Sequence, residues 1–145
     1  MSADPGGRTV AKPLKKGFRK LLEEANAVVE TIDVEQAKTL LGNEDTLFVD
    51  IRDPRELERD GTIPGAMHAP RGMLEFWVDP DSPYFKEAFG SGKQLVLFCA
   101  SAWRSALSAK TLTEMGVERV AHLGGGFTAW KKAELPIEAR EKKTG

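Results

Sequence analysis

LVLFCASAWRS, residues 95–105, sets four consecutive apolar residues before a cysteine and closes on an arginine and a serine. The unbroken run Leu95–Phe98, with Gly92-Lys93 ahead of it, reads as a strand buried on both faces. Beyond it, Ala106, Ala109, Leu112 and Met115 recur every three positions from Trp103 onward, and Gly116 stands where a helix would stop. The segment therefore predicts strand, loop, helix, with Cys99 at the carboxyl end of the strand. In parallel α/β sheets ligands bind at such ends, and the following helix offers free N–H groups to an anion. A thiol there, with Arg104 nearby, is placed to act as a thiolate nucleophile. A free cysteine is also commonly just a small core hydrophobe, and position alone leaves both readings open.

Outward from this stretch, the same grammar repeats. Asp33 and Gln36 form a capping box for a helix over 34–41, with Gly42 at its end. Leu47, Phe48, Val49 and Ile51 surround Asp50 and predict a second buried strand, whose carboxylate needs a partner if it is buried. Asp53, Pro54 and Glu56 fit the N-cap, N1 and N3 positions of a helix running to Gly61. TIPGAMHAP, residues 62–70, holds two prolines and a glycine and demands turns. Residues 71–92 show no clear alternation and are expected to form a short helix with a long connection. A strand over 117–123, the triple glycine 124–126 as a tight turn, and a helix over 127–133 with Trp130 in the core complete the order. Alternation of strand and helix, with crossovers long enough for parallel pairing, predicts a doubly wound α/β domain with helices on both faces.

Residues 1–13, rich in glycine, proline and small polar residues, read as a disordered arm. Residues 14–30 carry Phe18, Leu21, Leu22 and Ala25 at helical spacing and predict an N-terminal helix packed on its own domain. The single domain spans 31–136, and 137–145 form a polar tail. A chain of 145 residues, 41% hydrophobic and 30% charged, has room for one core. Its net charge of −1 gives no basis for nucleic acid or an anionic membrane as partner. No apolar stretch approaches membrane-spanning length. One cysteine cannot make an internal disulfide, so a reducing compartment, the cytoplasm, is the expectation. No metal-ligand spacing occurs, so neither a metal nor an organic cofactor is expected.

Three ordered segments resemble the rhodanese, or sulfurtransferase, domain family: VDIRDPRELERDGTIPGAMHAP (49–70), CASAWRS (99–105) and VAHLGGGFTAW (120–130). RGMLEFW, residues 71–77, is similar to a bacterial single-domain subgroup. The resemblance covers residues 31–136 and implies a rhodanese-like doubly wound parallel sheet. It departs from the family pattern at Thr62, where histidine is usual, and at Ala102, where the loop usually has glycine. If the loop requires positive φ at Ala102, alanine is strained there by about 1 kcal/mol. Four residues separate Cys99 from Arg104, against five in tyrosine phosphatases and in the phosphatases of related fold. The smaller ring suits a single sulfur anion better than a phosphate.

The resemblance implies that Cys99 takes the outer sulfur of a small anionic donor such as thiosulfate, becomes a persulfide, and passes the sulfur to cyanide, a thiol or a protein acceptor. It gives Ala100, Ser101, Ala102, Trp103 and Arg104 the role of binding the donor and stabilising the persulfide. Asp50 and Arg52 either line the site or pair with one another. Arg71 reads as a second anion contact or an ordinary exposed arginine, and Trp103 as a shield for the persulfide or a packing residue. His68 and His122 read as satisfied structural or surface histidines rather than bases, and Ser101 and Ser105 as hydrogen-bonding residues. Two other classes stay in view, a phosphatase or arsenate reductase using Cys99, and a non-catalytic binding or regulatory module. Oligomeric state is open.

Overall fold

The computed structural model describes residues 2–3 and 9–141. Ser2–Ala3 (β1) and Thr9–Val10 (β2) pair antiparallel; the rest of the arm read over 1–13 lies partly outside the described residues. The helices are α1 Phe18–Val28, α2 Val34–Leu40, α3 Pro54–Asp60, α4 Leu74–Val78, α5 Trp103–Glu114 and α6 Gly126–Lys132. The main sheet holds β3 Glu30–Ile32, β4 Thr46–Asp50, β5 Met67–His68, β6 Gln94–Phe98 and β7 Val120–Leu123, all parallel, in the order β3-β7-β6-β4-β5.

Local chemistry explains most boundaries. Asp33 accepts from the Gln36 N–H at 2.8 Å while the Gln36 side chain accepts from the Asp33 N–H, so α2 begins on the predicted capping box. Asp53 and Glu56 repeat it on α3, with Pro54 at N1. Strand β6 lies at the centre, and its residues alternate between two cores. Val96 and Phe98 join Phe48, Ala121, Phe127 and Trp130 on one face, while Leu95, Leu97 and Cys99 join Val49, Leu74, Ala109 and Leu112 on the other. Burial on both faces is why the strand reads as a continuous apolar run rather than an alternating one. Helices α4 and α5 cover one face and α2 and α6 the other, which makes the sheet doubly wound.

The two edge strands β3 and β5 are not foreseen in the sequence. Each is three residues or fewer and is held by pairing to a longer neighbour rather than by its own pattern. Strand β7 starts at Val120 rather than at 117, because Val117 N–H closes the end of α5 on Leu112 O. Helix α1 packs along α5 and buries Ala25 completely. The tail does not leave the domain at once: Thr62 and Glu138 exchange two backbone hydrogen bonds of 2.9 Å each. Residues 142–145 of that tail lie outside the described residues.

Candidate active site

Strand β6 delivers Cys99 to the carboxyl edge of the sheet, where it is 1% exposed. The chain then turns through Ala100, Ser101 and Ala102 into α5. Ala102 takes the left-handed conformation, φ 73° and ψ 4°, and serves as the N-cap of that helix. The conditional expectation for this position is therefore met: alanine holds a turn that glycine makes without steric penalty, at about 1–2 kcal/mol. The turn bends the loop around the sulfur. Ser105 N–H donates to Cys99 Sγ at 3.4 Å. Among the described residues no group accepts from the N–H groups of residues 100–104, so five amide donors at the start of α5 are free for an anion.

Two elements brace the loop from outside. Gly125 and Gly126 turn into α6 with φ 77° and 62°, and the first residues of that helix donate back to the loop. Phe127 N–H bonds Cys99 O at 2.8 Å and Thr128 N–H bonds Ala100 O at 3.1 Å. A Cβ on Gly126 would stand 2.5 Å from Ala100 O, so the close approach requires glycine. The sequence reading of the triple glycine as a tight turn is met, and its bracing role comes only from this contact. On the other side, Arg104 reaches α3 and binds Glu56 with both nitrogens, at 2.7 and 3.0 Å. That guanidinium holds the Glu56 carboxyl below the usual carboxylate range, and Glu56 in turn holds Arg104 more firmly protonated. Glu56 thus belongs to the site neighbourhood. Its sequence signal, the N3 position of a capping box, points only to the helix start.

Asp50 and Arg52 form a buried pair, Arg52 Nη2 to Asp50 Oδ2 at 2.8 Å and Nε to Oδ1 at 3.0 Å. The remaining capacity is filled locally. Arg52 N–H and the Thr62 hydroxyl also donate to Asp50, Arg52 Nη2 donates to Gly61 O, and the guanidinium lies 4.4 Å from the centre of the Phe127 ring. Thr62, in the position where the family usually has histidine, therefore serves as a short buried donor to Asp50. The pair ties β4, the following turn and α6 together beneath the loop. Arg71 pairs with Glu75 at 2.9 Å and, with Arg52 and Arg104, lines a cleft of about 240 Å³ beside the loop. Trp103 is 56% exposed and rests against Phe18 of α1, ring centres 5.0 Å apart.

Behind Cys99 runs a further chain of polar groups. Cys99 Sγ lies 3.7 Å from Ser105 Oγ, which lies 2.9 Å from His122 Nδ1, and His122 Nε2 lies 2.9 Å from Thr31 Oγ1. His68 meets Arg52 O through Nε2 at 2.7 Å, away from the sulfur. Both histidines are satisfied, as expected. Among the described residues there is no group of three metal-ligating side chains, and no helix is long and apolar enough to cross a membrane.

The family model for the rhodanese-like domain matches residues 33–133. A sulfurtransferase from Allochromatium vinosum is 34% identical over 115 residues, covering 79% of this chain and 99% of that protein. Among solved structures, a Rhodopseudomonas palustris protein of unknown function, described as a possible tyrosine phosphatase, shares 49% identity at TM-score 0.86, covering 90% of this chain and 100% of that one. The polysulfide-sulfur transferase homodimer of Wolinella succinogenes shares 30% identity at TM-score 0.64, covering 85% and 88%. Three ordered motifs, the parallel sheet that carries them and a family match across most of the chain agree: this protein belongs to the rhodanese-like domain family.

Proposed function

We propose that this rhodanese-type sulfurtransferase moves a sulfane sulfur from a small anionic donor such as thiosulfate to a thiophilic acceptor through a persulfide on Cys99. One observation supports the reading: Cys99 opens a six-residue turn, Cys99–Arg104, in which no described group accepts from the five N–H groups of residues 100–104, leaving them available to a single sulfur anion. The Cys99 thiolate attacks the donor's outer sulfur. A new S–S bond forms, the bond inside the donor breaks, and sulfite leaves with the electron pair. The loop N–H groups and the start of α5 then stabilise the charge on the terminal sulfur. Cyanide, a thiol or a protein thiolate takes that sulfur and restores the Cys99 thiolate.

The other residues divide the work around this step. Arg104, committed to Glu56, sets the loop's shape and adds positive potential; Arg71 and the adjoining cleft receive the donor's sulfonate end. Asp50 and Arg52 keep the floor of the loop rigid. Trp103 presents an apolar rim to the acceptor.

Incubation with thiosulfate, followed by intact-mass measurement before and after cyanide, tests the mechanism. The native chain gains one sulfur that cyanide removes, and Cys99→Ala gains none. The description of the Rhodopseudomonas relative motivates a second arm with an aryl phosphate. Hydrolysis that vanishes in Cys99→Ser, without sulfur loading, would replace this reading by a phosphatase. No reaction in either arm, with Cys99 inert to alkylation, would leave a docking module.

A further inference from the structure

The polar chain behind Cys99 is continuous from the buried sulfur to the surface of the sheet. Ser105 sits in the first turn of α5, His122 at the third position of β7, and Thr31 pairs with His122 in the register of β3 and β7. Sulfur and imidazole are each 1% exposed, whereas Thr31 lies exposed on the edge strand. The spacings of 3.7, 2.9 and 2.9 Å are hydrogen-bonding distances at every step.

Donor and acceptor bookkeeping gives this chain a direction. While Cys99 carries its proton, the thiol S–H donates to Ser105 Oγ, the Ser105 O–H donates to His122 Nδ1, and His122 Nε2–H donates to Thr31 Oγ1. A sulfur anion cannot donate and needs the Ser105 O–H for itself. Ser105 then needs a donor in place of the acceptor it had, and His122 supplies one only in the other neutral tautomer, with the proton on Nδ1. Thr31, a hydroxyl that both donates and accepts, satisfies Nε2 in either state.

We propose that Ser105, His122 and Thr31 form a hydrogen-bond relay that reverses direction when Cys99 loses its proton, turning the Ser105 hydroxyl toward the sulfur anion. Resting on the reading of Cys99 as the nucleophile, it makes His122 a positioning residue that acts through Ser105. The protons balance. The S–H proton passes to Ser105 Oγ as the Ser105 proton passes to Nδ1, the Nε2 proton passes to Thr31 Oγ1, and the Thr31 proton leaves to solvent water. Cys99 ends as thiolate and His122 stays neutral.

Two further features favour tautomer exchange over a charged imidazole. Burial pushes the His122 ring toward its neutral form, below the ordinary histidine range. The charged groups on the surrounding elements also meet partners other than the ring, or solvent. On α5, Arg104 pairs with Glu56 and Lys110 with Glu114; on α1, Lys20 pairs with Glu23, Glu24 pairs with Lys16 ahead of the helix, and Arg19 lies over the Phe18 ring. Arg119, just ahead of β7, pairs with Asp45, and Asp50 pairs with Arg52 at the end of β4; Glu30 of β3 is exposed. Among the described residues no ion pair holds the ring.

The chain has two histidines, so ring-nitrogen NMR on histidine-labelled protein resolves each, with His68→Asn giving the assignment. The experiment follows His122 across the pH range in which Cys99 alkylation by iodoacetamide turns on. The expected result is an Nε2–H ring that becomes an Nδ1–H ring with the midpoint of alkylation, and a ring that ignores pH over that range in Cys99→Ala and in Ser105→Ala. In Ser105→Ala, alkylation at pH 7 should fall roughly tenfold, the scale of one charge-assisted hydrogen bond to the anion. A ring that keeps one tautomer while Cys99 ionises, or that changes identically in Cys99→Ala, overturns the relay. Sulfur loading is read separately by mass. Loading without a ring response defeats the relay alone, and a ring response without loading defeats the sulfur-transfer reading alone.

Discussion

Replacing Gly126 by alanine tests whether α6 braces the Cys99 loop. At φ 62°, alanine costs about 1–2 kcal/mol in the left-handed region, offset by about 0.4–1 kcal/mol from the stiffer unfolded chain. The larger effect is contact: the added Cβ would lie 2.5 Å from Ala100 O and 2.6 Å from Cys99 O, both backbone atoms. To restore ordinary separation, the loop and α6 must part, which weakens Phe127 N–H to Cys99 O and Thr128 N–H to Ala100 O. Each bond contributes about 1 kcal/mol net, so the total loss is about 3 kcal/mol. For a chain of this size that lowers the melting temperature by about 10 °C. Gly42→Ala is the matched control, because Gly42 has φ 79° and nothing within 4 Å of its Cβ position. It should lose no more than about 1 kcal/mol. Urea unfolding followed by tryptophan fluorescence measures both, and Gly126→Ala should also alter the rate of Cys99 alkylation. Equal unfolding midpoints for the two variants would refute the bracing argument.

Three other outcomes follow from the geometry. Asp50→Ala leaves the Arg52 guanidinium buried without its carboxylate and should cost about 3–5 kcal/mol in urea unfolding, far more than Asp45→Ala at the exposed pair with Arg119. Ala102→Gly relieves the left-handed alanine at the price of a looser unfolded chain, so stability should change by less than about 1 kcal/mol while sulfur loading is retained; a clear loss of stability would contradict the strain assigned to φ 73°. The Glu56 carboxyl is held below its unfolded value, so its ionised form adds stability above about pH 4.3 that is lost as pH falls through the lower folded value. Native chain should therefore lose more stability on acidification from neutrality to about pH 3 than Glu56→Gln does, by roughly 1 kcal/mol for a partly exposed pair.

Much of the architecture was legible because its causes are local. Capping boxes at Asp33 and Asp53, the apolar runs of β4 and β6, and the three-residue spacing of α5 each sit within one element. The edge strands β3 and β5 were hidden because two or three residues carry no period and exist only by pairing. Cys99 and its loop were visible for the same reason as β6: contiguous residues spell strand, turn and helix. Ala102 stands out in the sequence as a departure from the family pattern, whereas its left-handed φ is a property of the folded loop.

The sequence by itself determined the order of the helices and of the longer strands β4, β6 and β7, the position of the thiol at a central strand end and the four-residue gap between Cys99 and Arg104. Only the tertiary structure decided what holds that thiol. Arg104 meets Glu56 across 48 positions and Thr31 meets His122 across 91, and Gly126 matters through its approach to Cys99 and Ala100. The physical reason is that periodicity and capping act over a few residues. Hydrogen-bond satisfaction and close packing at the loop depend instead on which distant segments the parallel crossovers bring side by side.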